Sequence, residues 1–405
     1  MDWKVFMLVL LTAERAFLLL KQIVQYRSAN NPTPANLADV YDAQTYQQWK
    51  RYSAEKCRLD IVSTLISYGL MLVLLSLDVH AKVAGLFPGG VYVQLIAVLV
   101  FQTLVDSLVS VGLNYVETMV IEEKYGFNRS SMKTFVMDQI RSFLLEVLLS
   151  VGMMSALAAL HLAMGDWVVV LFTGVLFAFT LVMSFLYPIF SRLGNKFTPL
   201  EEGELKDKLT ALLTKHGYHV KAIEVMDASR RTTKSNAYFT GFGRMKTIVL
   251  FDNLLSTMST DEICAVFAHE LGHGLHKDVL KKQAMNIINL FAMAALVWLT
   301  VREPALHQAF GFGGVNYGFA FILLGFELGL VQPVLGMVMN AYSRYAEYRA
   351  DRQAVAEGYG EALVSGLKKL ARGNFAHLAP SPLLVVLEYS HPPLGARIKA
   401  IQQGT

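Results

Sequence analysis

The chain has 405 residues, of which 54% are hydrophobic and only 17% are charged, and its mean hydropathy is +0.40. Soluble domains carry about 25% charged residues, so the composition indicates a membrane protein and excludes disordered and disulfide-scaffold classes. Cys57 and Cys264 lie far apart and indicate neither a disulfide framework nor a cysteine-ligated zinc site. The net charge of +4 is small, and we expect no nucleic-acid partner.

Seven segments approach the roughly 20 apolar residues that a helix needs to cross the bilayer core. In chain order they are Trp3–Leu20, Ile61–Leu77, Val91–Leu113, Phe143–Met164, Trp167–Phe190, Ala284–Val301 and Asn316–Tyr342. The first segment is the weakest candidate for a span because it contains Lys4, Glu14 and Arg15. No small-residue cleavage site follows it, so we interpret it as a span and not as a signal peptide. Pro333 lies within the last segment and predicts a kink in that helix.

Basic residues are concentrated between alternate spans. Six lysines and arginines lie between the first and second spans and four in the 115–142 loop, whereas the loops 78–90 and 302–315 hold one each. Because basic loops stay on the cytoplasmic side, we expect the N-terminus outside and the C-terminus inside. This pattern predicts an integral membrane protein of a bacterial inner membrane or the endoplasmic reticulum.

The polar segments define the domain organisation. Residues 1–190 hold the first five spans, 191–283 form a long polar insert, 284–342 hold the last two spans and 343–405 form a polar tail. With the orientation above, the insert and the tail share the cytoplasmic face. They can therefore build one soluble domain.

Within the insert, hydrophobic periodicity predicts an amphipathic helix over 201–216 and strands over 222–226, 236–240 and 246–251. The last two strands, with Gly241, Phe242 and Gly243 between them, are typical of a hairpin. Ser259 followed by Glu262 forms a capping-box pattern, which predicts a helix that continues past His273.

Residues His269 to His273 read H-E-x-x-H and fall inside this predicted helix. Histidines four residues apart lie on one helical face, so both imidazoles can bind one zinc ion while Glu270 acts on a bound water. The alternative is a chance match among the ten histidines of the chain. We interpret the motif as the core of a site for one zinc ion.

A catalytic zinc needs a third protein ligand and one open position for water. His276 follows the motif too soon and on another helical face. The best source is the segment 343–351, in which Glu347 and Asp351 lie four residues apart on one face. Either carboxylate can supply the ligand, or both can form ordinary surface pairs with neighbouring arginines.

These motifs closely resemble the type I CAAX prenyl proteases, a family of integral-membrane zinc metalloproteases in which H-E-x-x-H is followed, after two spans, by E-Y-x-A-D. The resemblance covers nearly the whole chain and includes residues 122–128, 195–200, 236–238 and 390–393 and Arg397. It implies that His269, His273 and Glu347 hold zinc and that Glu270 is the general base. Asp351 would either orient a ligand histidine or donate a proton.

The resemblance also implies roles for residues farther along the chain. His391 and Arg397 would approach the zinc from the tail and stabilise a tetrahedral oxyanion. The less favoured alternative for His391 is a helix-start residue before two prolines. Asn236, Ala237 and Tyr238 would form an edge strand that binds an extended substrate, or else an ordinary hairpin strand.

Three acidic residues interrupt the spans, namely Asp106, Glu146 and Glu327. Carboxylates inside a membrane are costly unless they face protein or water, so they indicate a polar interior between helices. With the resemblance, the expected fold is a mainly α-helical multi-pass membrane protein with about seven transmembrane helices around a hydrated chamber. A cytoplasmic-facing zincin-like α+β metalloprotease domain completes it.

The function that follows is a zinc metalloendopeptidase that removes the C-terminal tripeptide from isoprenylated proteins or peptides at the membrane. The partners are then the lipid bilayer and a peptide or lipidated protein C-terminus. One alternative is an HtpX-like quality-control protease with broad substrates, which normally has fewer spans. A second is a channel, transporter or scaffold with a structural zinc site, against which Glu270 argues because structural zinc needs no base.

Overall fold

The computed structural model describes residues 2–192, 194–234, 236–240 and 247–404, which form a mainly helical fold with one small sheet. The predicted turn at Gly241, Phe242 and Gly243 lies outside the described residues. The α-helices are α1 Trp3–Ser28, α2 Ala43–Ser76, α3 Val79–Gly85, α4 Val91–Tyr115, α5 Met132–Met164, α6 Val168–Arg192, α7 Glu204–Lys215, α8 Asp252–Thr257, α9 Thr260–Leu275, α10 Asp278–Arg302, α11 Pro304–Gln308, α12 Tyr317–Ala356, α13 Gly360–Gly373, α14 Pro382–Leu387 and α15 Leu394–Gln403.

Five stretches of the described helices are long and apolar enough to cross a membrane. They are Ala43–Ser76, Val91–Glu122, Met132–Met183, Asp278–Arg302 and Tyr317–Ala356. The third joins α5 and most of α6 across a 3-10 turn at Gly165–Trp167, so it contains the predicted span Phe143–Met164 and most of the next one. Helix α1, which carries Lys4, Glu14 and Arg15, is not among the five. The protein is thus an integral membrane protein.

The apolar helices pack around a shared core. Leu95 and Leu99 of α4 belong to one buried cluster with residues of α5, α6, α10 and α12, such as Leu157 and Phe172. Other apolar side chains of the same helices remain exposed, including Leu148, which is 68% exposed. Exposed apolar surface of this extent fits contact with lipid tails. Helix α12 continues without a break through Pro333.

The sheet contains β1 Phe197–Pro199, β2 Ala222–Met226, β3 Ala237–Thr240 and β4 Thr247–Phe251. Its strand order is β1-β2-β4-β3, with β2 and β4 parallel and the other two pairs antiparallel. The predicted helix over 201–216 corresponds to α7, and the three predicted strands correspond to β2, β3 and β4. The short strand β1 was not predicted. Among the described residues, β3 therefore lies at an edge of the sheet.

The insert and the tail contribute to one hydrophobic core around α9. Leu209 of α7, Leu250 of β4 and Phe267 of α9 pack there with Leu363 of α13 and Ile401 of α15. Burial of such side chains removes apolar surface from water and stabilises the cluster. The helix that carries H-E-x-x-H is thereby fixed between two distant parts of the chain.

Helices α9 and α12 approach each other closely at Gly272, the fourth residue of the motif. A Cβ atom at this position would lie 3.0 Å from the Cα of Ala350 and 3.0 Å from the Cβ of Gln353. Any larger residue would push the two helices apart, because backbone cannot yield as a flexible side chain does. Gly272 thus permits the contact that brings Glu347 of α12 to the histidines of α9.

Candidate metal centre and active site

The predicted capping box begins the helix that carries the motif. The side chain of Ser259 accepts a hydrogen bond from the backbone N–H of Glu262, and the Glu262 carboxylate accepts one from the backbone N–H of Ser259. These bonds satisfy two of the backbone donors that a helix start leaves unpaired. The helix that follows places His269 and His273 one turn apart, with ring centroids 4.9 Å from each other.

His269, His273 and Glu347 converge on one point. One possible ligand atom from each lies within 4.8 Å of the others. The Nε2 atom of His269 is 3.5 Å from Glu347 Oε2, and that of His273 is 3.3 Å from Glu347 Oε1. Glu347 Oε2 is buried and lies 3.2 Å from Arg397 Nη1, but it accepts no hydrogen bond from the described residues. Two imidazoles and a carboxylate with a buried, unsatisfied oxygen fit a metal ion such as zinc.

The other nitrogen of each histidine faces a carboxylate. His269 Nδ1 is 2.9 Å from Asp351 Oδ1, and His273 Nδ1 is 2.9 Å from Asp278 Oδ2. Because a carboxylate only accepts, each Nδ1–H donates and each Nε2 keeps its lone pair for a metal. Burial would lower the pKa of His273, but Glu347 and Asp278 outweigh it and raise that pKa.

Asp278 is the site residue that the sequence did not reveal. It begins α10, five residues after His273, and is 2% exposed. The Tyr342 hydroxyl donates to Asp278 Oδ1 over 2.8 Å, and Arg349 also pairs with this carboxylate. Helix α12 thus supplies Glu347 and also two residues that hold the partner of His273.

Glu270 follows the first ligand in α9. It is half-buried and makes no hydrogen bond or ion pair that involves the described residues. Burial raises the pKa of its carboxyl group. A carboxylate beside the candidate metal position, with no other partner, can exchange a proton with a bound water.

Asp351 and Arg397 form a buried pair behind His269. Arg397 Nε donates to Asp351 Oδ2 over 2.9 Å, and Nη2 donates to Oδ1 over 2.6 Å. Arg397 Nη1 is also 3.2 Å from Glu347 Oε2, and the arginine side chain is 9% exposed. Burial would lower the pKa of Arg397, but the bonds to Asp351 raise it, so the guanidinium stays charged. In this position Arg397 can hold the candidate ligand Glu347 and the Asp351 carboxylate, which contacts His269, in place.

His391 lies on the more open side of the same carboxylate. Its Nε2 atom is 3.3 Å from Glu347 Oε1, and its side chain is 64% exposed. Ser390 Oγ is 3.0 Å from His391 Nδ1. The structure thus brings His391 beside Glu347 on an accessible surface.

The predicted substrate strand is next to the helix that carries the motif. Ala237 and Tyr238 belong to β3, and Asn236 directly precedes it and accepts a backbone hydrogen bond from Phe251. Ala237 packs against the core around α9. β3 pairs with β4, and no other described strand pairs with its opposite edge.

Two family models match the chain. The model described as "CAAX prenyl protease N-terminal, five membrane helices" matches residues 22–192, and the model "Peptidase family M48" matches residues 199–405. Together they extend over most of the membrane region and the whole of the candidate site.

Curated proteins and a solved structure are similar over nearly the full length. The CAAX prenyl protease 1 homolog of Oryza sativa subsp. japonica is 31% identical over 94% of this chain and 92% of its own. CAAX prenyl protease 1 of Saccharomyces cerevisiae is 30% identical over 91% and 88%. The crystal structure of S. mikatae Ste24p superposes with a TM-score of 0.91 at 28% identity, over 98% of this chain and 99% of that chain.

Proposed function

Because the chain belongs to the CAAX prenyl protease group of peptidase family M48, we propose that it is a membrane zinc endopeptidase that cleaves isoprenylated C-termini. The expected cut removes the terminal tripeptide after the lipidated cysteine. The observation that carries the proposal is the convergence of His269, His273 and Glu347, with Glu270 beside them in the same helix. The similarity over both the membrane region and the site favours this function over the HtpX-like alternative.

Zinc is the proposed metal, and His269, His273 and Glu347 are its proposed ligands. When bound, zinc would polarise the substrate carbonyl and lower the pKa of a water in its open position. Asp351 and Asp278 would hold the two imidazoles in the orientation that leaves each Nε2 free. The bonds from Arg397 favour this orienting role for Asp351 over proton donation.

Glu270 is the proposed general base. Its carboxylate would take a proton from the attacking water and later give that proton to the leaving amine. His391, which is exposed beside Glu347, is the better placed of the two tail residues to stabilise the oxyanion. Arg397 would act through Glu347 and Asp351.

We propose that the substrate backbone pairs with the edge of β3 opposite to β4. Asn236, Ala237 and Tyr238 would then bind the peptide in an extended conformation beside α9. The support is the edge position of β3 and the packing of Ala237 against the core around α9.

The proposed arrangement in the membrane has seven spans around a hydrated chamber. The N-terminus would lie outside and the active site on the cytoplasmic side of the endoplasmic reticulum or a bacterial inner membrane. The zincin-like domain would combine residues 191–283 with 343–405. A cavity of about 220 Å³ beside Gln102 and Asp106 supports a polar interior between the helices.

The test uses purified full-length protein and two otherwise identical C-terminal peptides, one of them farnesylated on its cysteine. Mass spectrometry locates the cut, and Glu270→Gln serves as the control because it keeps the side-chain shape. We expect cleavage after the lipidated cysteine only, and none by Glu270→Gln. Equal cleavage of both peptides at scattered bonds would instead indicate the broad quality-control activity.

A further inference from the structure

A strongly basic cleft lies outside the candidate active site. It has a volume of about 410 Å³ and is bounded by the start of α5, the end of α6 and the segments 194–196 and 230–231. Six basic side chains and one acidic side chain, that of Asp138, line it. The basic residues are Lys133, Arg141, Arg192, Lys196, Arg230 and Arg231. We refer to this site as the cationic cleft.

The positive charges of the cationic cleft are only partly neutralised. Three carboxylates pair with four of the six basic residues, namely Asp138 with Arg141 and Arg231, Glu224 with Arg192, and Asp227 with Arg230. The side chains of Lys133 and Lys196 are exposed and make no ion pair with the part of the chain that the structure describes. The cleft therefore carries excess positive charge, which favours an anion.

One donor in the cleft is buried and unused. Arg231 Nη2 donates to the carbonyl of Gly194 over 3.2 Å, whereas Arg231 Nε is buried without a hydrogen-bond partner among the described residues. A buried unpaired donor costs free energy unless a ligand or water accepts from it. Gly194 permits this close packing, since a Cβ there would lie 2.7 Å from Arg231 Nη2.

The cationic cleft lies where two adjacent apolar helices end. The apolar run of α5 begins at Phe143, two residues after Arg141, and that of α6 ends at Phe190, two residues before Arg192. A short turn joins the opposite ends of α5 and α6, so these two boundaries lie at the same end of the pair. Two residues of helix span about 3 Å, which places Arg141 and Arg192 at headgroup level.

We propose that the cationic cleft binds the phosphate-bearing headgroup of an anionic membrane lipid. Arginine forms paired hydrogen bonds with phosphate oxygens, lysine adds positive charge, and the N-terminal end of α5 adds a partial positive charge. Free phosphate shares this chemistry, but the position at the apolar boundary favours a headgroup whose acyl chains run along α5 and α6. The exposed apolar side chains of Leu144 and Leu148, which lie three and seven residues after Arg141 on the same helical face, offer surface to these chains. The proposal does not depend on the proposed protease function.

The test compares lipid binding by two double variants of the full-length protein in neutral detergent. Lys133→Gln with Lys196→Gln removes two unpaired charges from the cleft, and Lys221→Gln with Lys399→Gln removes two exposed charges elsewhere. Native mass spectrometry counts bound dioleoylphosphatidylglycerol and dioleoylphosphatidylcholine, which have the same acyl chains. We expect the cleft variant alone to lose phosphatidylglycerol affinity, by about tenfold or more. Equal phosphatidylglycerol affinity in the cleft variant and the control variant would overturn the proposal.

Two further measurements on the unmodified protein do not depend on the folding of a variant. A photoactivatable phosphatidylglycerol should cross-link to residues 133–141 or 194–196, and labelling elsewhere alone would overturn the proposal. Inorganic phosphate should compete only weakly with the lipid. If inorganic phosphate binds as tightly and displaces the lipid, the cleft is a site for free phosphate and the lipid assignment is wrong.

Discussion

Two carboxylates from different helices hold the two histidines of the candidate metal centre. Asp351 comes from α12 and contacts His269, whereas Asp278 comes from the start of α10 and contacts His273. Such partners fix the ring orientation and increase the basicity of the ligand nitrogen. The metal affinity of the site should therefore depend on residues that do not touch the metal.

Replacement of Asp278 by Asn should weaken metal binding without abolishing it. The variant keeps the shape of the side chain but loses the negative charge that faces His273 and Arg349. Loss of such a partner typically lowers metal affinity by about 10- to 100-fold. The measurement is zinc retention during titration with a chelator, with Glu347→Ala as the reference that should lose zinc altogether.

Glu361→Gln provides the matched control for this experiment, because Glu361 is exposed at the start of α13. It should retain zinc as the unmodified protein does. Unchanged zinc affinity in Asp278→Asn would contradict the role assigned to the contact with His273. Full retention of zinc by Glu347→Ala would mean that another residue is the third ligand.

The sequence predicted part of this site because short spacings within one helix have a simple geometry. His269 and His273 share a face of α9, and Glu347 and Asp351 share a face of α12. Spacing alone left open whether either carboxylate is the third ligand, and only the family resemblance selected Glu347. Asp278 could not be predicted in this way, since Lys277 adopts a left-handed conformation, with φ 56°, and breaks the helical register between His273 and Asp278. Only the folded turn brings that carboxylate back to the histidine.

At the scale of the helix, α9 is held at its start by one buried carboxylate. Glu262 is 5% exposed and accepts hydrogen bonds from the Ser259 backbone, the Ser365 hydroxyl at 2.6 Å and the Lys369 ammonium at 2.7 Å. Burial alone would raise its pKa, but these bonds outweigh burial and lower the pKa below its ordinary value of 4.5. The capping box thus also ties α9 to α13.

Glu262→Gln should lower the thermal unfolding temperature of the protein at neutral pH by about 2–4 °C. A lowered folded-state pKa stabilises the protein above the unfolded pKa near 4.5, and this stability is lost as the pH falls through the folded value. The difference in unfolding temperature between Glu262→Gln and the unmodified protein should therefore shrink on acidification. Unfolding curves between neutral and acidic pH measure it.

Glu202→Gln is the control for general charge effects, since Glu202 lies just before α7 and is 83% exposed. Its unfolding temperature should differ little from that of the unmodified protein at any pH. If the unfolding temperatures of Glu262→Gln and the unmodified protein differ by the same amount at all pH values, the lowered pKa of Glu262 does not contribute to stability.

Elements with strong periodicity could be predicted, and short or irregular ones could not. The amphipathic pattern of α7 and the capping box of α9 were sufficient to predict these two helices, because both signals depend only on local sequence. Strand β1 has three residues and includes Pro199, and it forms because β2 offers an edge for pairing. The π-helical segment Val116–Glu122 continues α4 beyond the predicted span end at Leu113, where the sequence becomes more polar.

At the scale of the whole molecule, two of the three acidic residues in the apolar helices have polar partners. Gln102 donates to Asp106 over 2.9 Å and also contacts His80, and Thr300 lies 3.0 Å from both Glu327 oxygens. Glu146 is exposed. Composition predicted that some helix faces are polar. The partners of each carboxylate depend on which helices pack together, which composition does not specify.

Helix α12 connects the membrane region with the candidate site, because Glu327 and Glu347 both belong to it. Twenty residues of helix separate them, which corresponds to about 30 Å. A change at Glu327 can therefore affect how α10 and α12 pack without touching the reacting atoms. Stability and catalysis should respond separately to such a change.

Glu327→Leu removes the hydrogen bond with Thr300 and should lower the unfolding temperature. The turnover of a short soluble peptide should stay within about threefold of the unmodified rate, because this hydrogen bond stabilises helix packing and not the chemical step. Thr300→Val removes the same contact from α10 and is the matched comparison. The two single changes and the double change should give less than additive losses in unfolding temperature, since all of them remove one interaction. A hundredfold loss of turnover on the soluble peptide would instead place Glu327 in the catalytic machinery, and additive losses would mean that Glu327 and Thr300 stabilise the bundle through different partners.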